Sequence, residues 1–305
     1  QVMRIHQNFL NKYFGDKIEI INSSEIISKN KIYKQIKDAD IVHIHELWSL
    51  NTINIVKISE KFGIPYIFTF HGVLNKWSLK KNKFLKSLFL FFFRSQIFYK
   101  SSGFQFLNFN EYNEAKNLYI NFFKKSFILQ NGLDLSFQKS HIKNIKYKNF
   151  LGDKLNLIFL GRVHPKKGLK ILIDAISLAS SKNLNISLKI IGPSSKYSTF
   201  LKNIVKKSKI SKQVEFLPPV FDNYLKQKYF SRSDFFILPS YDEADSIAIK
   251  EAIASGLPII VTKECKVENV EINKIGYHIN HDPKQIIKKL QFIMNDHKNY
   301  HILSK

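Results

Sequence analysis

Short apolar runs alternate with amphipathic stretches of helix length along almost the whole chain. In the first part, runs at 18–21, 40–45, 65–70, 103–107 and 126–129 read as strands, and 2–13, 30–37, 52–62 and 111–119 as helices. In the second part, strands are expected at 155–160, 185–191, 214–217, 234–238, 259–261 and 276–279. Helices fit 169–179, 196–207, 222–231, 246–255 and 282–294. Such alternation predicts the α/β class with doubly wound parallel sheets, which bind ligands beyond the C-terminal ends of their strands. A polar, lysine-rich stretch without periodicity separates the parts. The expected organisation is a domain at 1–137, a linker at 138–154 and a domain at 155–305.

One stretch breaks the rhythm. Residues 79–100, LKKNKFLKSLFLFFFRSQIFYK, read as one helix with lysines early and aromatics late. Its apolar positions wrap most of the way round, which suits burial against a sheet. That reading is preferred to an amphipathic helix on an anionic membrane, although the lysine-rich first turns are free to touch headgroups in either case. No apolar run reaches the roughly 18 residues of a membrane span.

The 305 residues suffice for two domains, and their net charge is +24. The charge is spread, +13 over residues 1–150 and +11 over the rest, so a generally lysine-rich surface explains it. No nucleic-acid-binding motif accompanies it. A single cysteine, Cys265, excludes an intramolecular disulfide framework and fits a reducing, cytoplasmic location.

The richest chemistry lies in PSYDEADSIAIKEAIASGLPIIVT, from Pro239 to Thr262. Glu243 sits in a polar loop and Glu251 in the short helix that follows. Asp245 or Ser246 can cap that helix, and Gly256 with Pro258 ends it. Helical side chains lean toward the N-terminus, so Glu251 points back toward the Glu243 loop, with Ile247 one turn before it. Two carboxylates and free backbone N–H groups then face one pocket. Carboxylates accept from sugar and ribose hydroxyls, and a helix N-terminus accepts phosphate.

A second basic loop, GRVHPKKG from Gly161 to Gly168, joins a strand to a helix. It is neither a G-x-G-x-x-G nor a P-loop. Arg162 can grip two phosphate oxygens and Lys167 adds a point charge. In the first part, His43, His45 and Glu46 lie at one strand end and His71 at another. His43 and His45 share a strand face, but no third ligand has metal-site spacing, and a metal site is rejected.

The segments EAIASGLPIIVT after a PS-x-x-E loop, GR-x-x-x-x-KG-x-x-x-L-I-x-A, DIVHIHELW, IPYIFTFHG and NG-x-D at Asn131–Asp134 resemble, in this order-preserving set, the family 4 glycosyltransferases. These are retaining, nucleotide-sugar-dependent enzymes of the GT-B fold, with two Rossmann-like domains facing across a cleft. The resemblance covers nearly all of the chain. It implies transfer of a sugar from a nucleotide-diphosphate sugar to a glycan or lipid-linked acceptor in cell-surface polysaccharide or lipopolysaccharide synthesis. It implies that His71 lies near the reacting sugar and Glu243 holds that sugar. Arg162, Lys167 and the segment Ala244, Asp245, Ser246 and Ile247 would take the diphosphate. Glu251 would take the ribose, and Val220, after Pro218-Pro219, the base through its backbone. No cofactor or metal is expected, because the only D-x-D, Asp38-Ala-Asp40, precedes a strand. No nucleic acid is expected as a partner; an anionic membrane surface stays open as one.

Three departures shape the expectations. The chain begins where the family's first strand and Gly-rich loop have passed and stops before its closing helix, so weak or absent transfer is expected. Ala244-Asp245-Ser246 replaces a loop that usually carries glycine and an aromatic, which places a negative charge near the diphosphate. The competing readings are a nucleotide-sugar epimerase of the same fold, and a basic nucleic-acid or membrane-surface binding protein without catalysis.

Overall fold

The computed structural model describes residues 29–80, 82–118, 125–133, 152–296 and 300–303. The chain divides into two compact units, Gln1–Gly132 and Leu133–Lys305. The helix expected at 2–13, the strand at 18–21, Asp134 and most of the expected linker lie outside the described residues.

In the first unit the described elements are α1 (Lys29–Ile36), β1 (Val42–Ile44), α2 (Leu50–Phe62), β2 (Tyr66–Thr69), α3 (Lys76–Lys80), α4 (Lys83–Arg94), β3 (Gly103–Phe106), α5 (Phe109–Leu118) and β4 (Ser126–Ile128). The strands form one parallel sheet in the order β1-β2-β3-β4. Ser49 caps α2 by accepting from the Thr52 N–H, and Gly63 ends it in the left-handed region at φ 67°. Strand alternation divides the sheet chemically. Phe68, Phe70, Phe104 and Phe106 line one face as a buried aromatic core, with ring centroids 5.7–6.5 Å apart. His43, Thr69 and Gln105 share the other face.

The stretch 79–100 departs from expectation. It is not one helix: Asn82 adopts a left-handed conformation at φ 55°, which asparagine tolerates, and separates α3 from α4. Nor is α4 buried. Leu90 is its one buried residue, and Phe89 and Phe93 pack partly against the core, but Phe84, Leu85, Leu88, Phe91 and Phe92 are exposed. A helix that meets the core through one narrow stripe cannot bury apolar residues around its whole circumference. The chain continues through a π-helical turn, Ser95–Tyr99, whose Ile97 and Phe98 return to the core.

The second unit comprises β5 (Leu155–Leu160), α6 (Leu169–Ser181), β6 (Ile186–Ile191), α7 (Lys196–Lys207), β7 (Val214–Leu217), α8 (Asn223–Ser231), β8 (Phe235–Leu238), α9 (Ile247–Ala254), β9 (Ile259–Thr262), β10 (Gly276–Ile279), α10 (Pro283–Asn295) and α11 (Tyr300–Leu303). Its six strands are parallel, in the order β10-β9-β8-β5-β6-β7. β8 and β9 are buried at every position, as expected of strands covered on both faces. The winding reverses between β5 and β8, the topological switch where open α/β sheets bind ligands. The loops after β5 and after β8, which carry the basic loop and Glu243, both leave that point.

Candidate functional site

Backbone packing joins the two loops at the switch. Gly168 has φ 68°, and a Cβ there would lie 1.9 Å from the Pro239 carbonyl oxygen, so only glycine lets the loops approach this closely. The Tyr241 N–H and the Ser240 hydroxyl both donate to the Lys166 carbonyl, at 2.8 and 3.0 Å. A short 3-10 turn, Pro165–Lys167, is capped by His164, whose Nδ1 accepts from the Lys166 N–H.

Lysines hold the carboxylates of this region. Lys167 Nζ lies 2.6 Å from Glu243 Oε1, which also accepts from the Ser240 hydroxyl at 2.6 Å. Lys166 and Lys266 flank Asp242 at 2.7 and 3.3 Å. Lys250 pairs with Asp245 at 2.7 Å, which offsets the negative charge that the sequence places near the helix start. Ser246 occupies the N-cap position of α9, but its side chain makes no cap bond and Asp245 turns to Lys250. The capping expected of the Ser246 side chain is therefore absent.

Glu251 is deeply buried, and Lys226 Nζ lies 2.6 Å from its Oε1 with both side chains almost fully covered. Lys226 reaches across from α8. Its neighbour Gln227 donates to the Ser255 hydroxyl at 2.8 Å, and Ser255 donates to the Glu251 carbonyl at 2.6 Å, fixing the end of α9. Burial raises the Glu251 carboxyl above its ordinary value, and the Lys226 ammonium pulls it partway back. The second oxygen, Oε2, is buried without a hydrogen-bond partner among the described residues. A buried carboxylate oxygen costs free energy while no donor reaches it.

Arg162 is exposed beside Gly161 and forms no ion pair among the described residues. Val220 is buried in the core, so any contact it makes with a ligand is through backbone. Cys265 is also buried, and burial pushes its thiol up to about 12, which removes it as a nucleophile.

In the first unit, the strand ends carry a chain of hydrogen bonds. His45 Nδ1 lies 2.8 Å from His71 Nε2, and the two rings stack at 5.1 Å. His43 Nε2 is 2.7 Å from the Thr69 hydroxyl, which donates to Gln105 Oε1 at 3.1 Å. His71 sits at φ 48°, an unusual conformation for a residue other than glycine. The fully buried Glu111 accepts from the N–H groups of Gly72 and Leu107 and holds the turn carrying His71. Sequence reasoning missed Glu111 and Lys226 and did not link His45 to His71. For Lys226 a signal existed: it stands four residues before the core residue Phe230, on one helix face.

The sequence profile described as glycosyl transferases group 1 matches residues 141–305. The chain belongs to this family. Group 1 glycosyltransferases are enzymes, and this chain is a transferase of that kind. It is 25% identical over 284 residues to an uncharacterized glycosyltransferase of Methanocaldococcus jannaschii, covering 90% of this chain and 71% of that one. It is 32% identical over 113 residues to a D-inositol 3-phosphate glycosyltransferase of an Arthrobacter species, covering 36% of this chain but only 27% of that relative. Among solved structures, Anabaena Alr3699/HepE in complex with UDP and glucose superposes with a TM-score of 0.72 at 14% identity, covering 98% of this chain and 82% of that one. Sucrose-phosphate synthase from Thermosynechococcus elongatus gives 0.68 at 15% identity, covering 90% and 69%. The group 1 chain thus has the GT-B fold.

Among the described residues, no helix is long and apolar enough to cross a membrane.

Proposed function

We propose that this group 1 glycosyltransferase is a retaining enzyme of family 4 that takes its sugar from a nucleotide-diphosphate sugar. The solved relative was crystallised with UDP and glucose, and donors of that class suit the groups at the switch. The observation that carries the reading is the pair of buried glutamates, each with a carboxylate oxygen tied to a lysine at 2.6 Å. Lys226 orients Glu251 so that Oε2 accepts from ribose hydroxyls. Glu243, steadied by Lys167 and Ser240, accepts from the donor sugar. Arg162, Lys167 and the backbone of Ala244, Asp245, Ser246 and Ile247 at the start of α9 neutralise the diphosphate without a divalent metal. Such fixed groups stabilise leaving-group charge with no reorganisation. Val220 receives the base through its backbone, and His71 faces the reacting sugar. The acceptor hydroxyl attacks the anomeric carbon on the face that the phosphate leaves, and the leaving phosphate takes its proton. The acceptor is a glycan or a lipid-linked sugar of surface polysaccharide synthesis, met at an anionic membrane surface.

The test is release of nucleoside diphosphate from UDP-, GDP- and ADP-sugars in EDTA. One donor class is expected to bind and to turn over weakly, more weakly still in Glu243→Gln. Turnover that requires Mg²⁺ or Mn²⁺, or no turnover and no binding of any donor, would overturn the reading.

A further inference from the structure

The exposed face of α4 has no counterpart in the donor chemistry. Phe84, Leu88, Phe91 and Phe92 recur at helical spacing and share one side, with Leu85 at its edge. Phe84 and Phe91 are 78% and 73% exposed, far beyond what a stripe supporting the core requires. The opposite side already has its partner: Phe89 packs edge-on against Trp48 at 5.7 Å and beside Phe93, and Leu90 enters the core. Charge identifies what the outer side meets. Residues 61–110 hold eight Lys and Arg and no Asp or Glu. Lys76, Lys80, Lys83 and Arg94 are exposed around the aromatic stripe. A second copy would bring two such uniformly basic surfaces together, and like charges oppose that.

We propose that α4 docks on an anionic lipid surface, its phenylalanines bedded at the headgroup–acyl boundary and its basic rim against the headgroups. This deepens the membrane part of the proposed function, and it can fail separately, because vesicle binding is read without donor or acceptor. It also locates the first unit at the surface from which a lipid-linked acceptor would be drawn.

The experiment is co-sedimentation of the full chain with phosphatidylcholine vesicles, with and without phosphatidylglycerol. Binding is expected only with the anionic lipid and is expected to fall with salt. The triple variant Phe84→Ser/Phe91→Ser/Phe92→Ser should lose on the order of a hundredfold in partition, with an unchanged unfolding midpoint. Lys80→Gln/Lys83→Gln should lose roughly ten- to thirtyfold and serves if the triple variant does not fold. Equal binding to neutral vesicles, no binding to either, or wild-type binding in the variants would overturn the proposal. So would wild-type self-association that the triple variant abolishes in the absence of vesicle binding, because a second copy would then cover the face.

Discussion

At the strand ends of the unit Leu133–Lys305, Asp242, Glu243, Asp245 and Glu251 each lie against a lysine. At the strand ends of the unit Gln1–Gly132, imidazoles, a threonine and a glutamine hand hydrogen bonds to one another. The first arrangement fixes charge in space and suits a ligand whose charge is constant, such as a diphosphate. The second links neutral and titratable groups through hydrogen bonds. The energetic consequences differ as well. A buried ion pair resists the loss of one partner, because the other charge is stranded. A hydrogen bond between two partly buried side chains contributes less, typically about 1 kcal/mol.

The largest effect is expected at the most buried pair. Lys226→Met should lower the stability of the chain by roughly 3–5 kcal/mol in urea unfolding, because it leaves the Glu251 charge uncompensated. Lys226→Met/Glu251→Leu should recover most of that loss while failing to bind nucleotide. A double variant as unstable as the single one would show that the two side chains are not coupled.

The next effect concerns affinity. Lys167→Ala and Arg162→Ala should each weaken nucleoside diphosphate binding by about one to two powers of ten, since a charge-assisted hydrogen bond contributes roughly 1.5–3 kcal/mol. Arg162→Ala should leave the unfolding midpoint unchanged, because the side chain is exposed. Calorimetric titration in EDTA reads both, and undiminished affinity in either variant would remove that residue from the diphosphate site.

The smallest effect should appear in the first unit. His45 and His71 share one hydrogen bond, so His45→Gln should leave nucleotide affinity intact and slow turnover roughly tenfold, a part of what general acid–base groups contribute. The unfolding midpoint should stay close to that of the wild type. Turnover identical to that of the wild type would reduce the pair to packing.

The sequence announced some parts of this site more clearly than others. Strands such as Phe235–Leu238 are continuous apolar runs flanked by turn residues, and they could be placed to within a residue or two. Glu243 and Glu251 stood out as candidates because a polar loop and the short helix after it both precede a buried strand. Lys226 was not, because a lysine on a surface-type helix looks solvated until the buried acid opposite it is known. Glu111 lies 39 residues beyond the turn it holds at Gly72, a separation that no local pattern reports. For α4, an apolar circumference says that the helix is hydrophobic but not which stripe the sheet will take. The core took Phe89, Leu90 and Phe93 and left Phe84, Phe91 and Phe92 outside.

The central claim is that Glu251, set by Lys226, reads the ribose of a bound nucleotide. It is tested most directly by titrating the wild type and Glu251→Gln with UDP, GDP and ADP and with their 2′,3′-dideoxy forms. The account predicts that the wild type prefers one ribonucleotide to its dideoxy form by roughly tenfold or more, as expected for hydrogen bonds to a charged group. It predicts that Glu251→Gln binds the two forms nearly equally. A variant that keeps the full preference would contradict it.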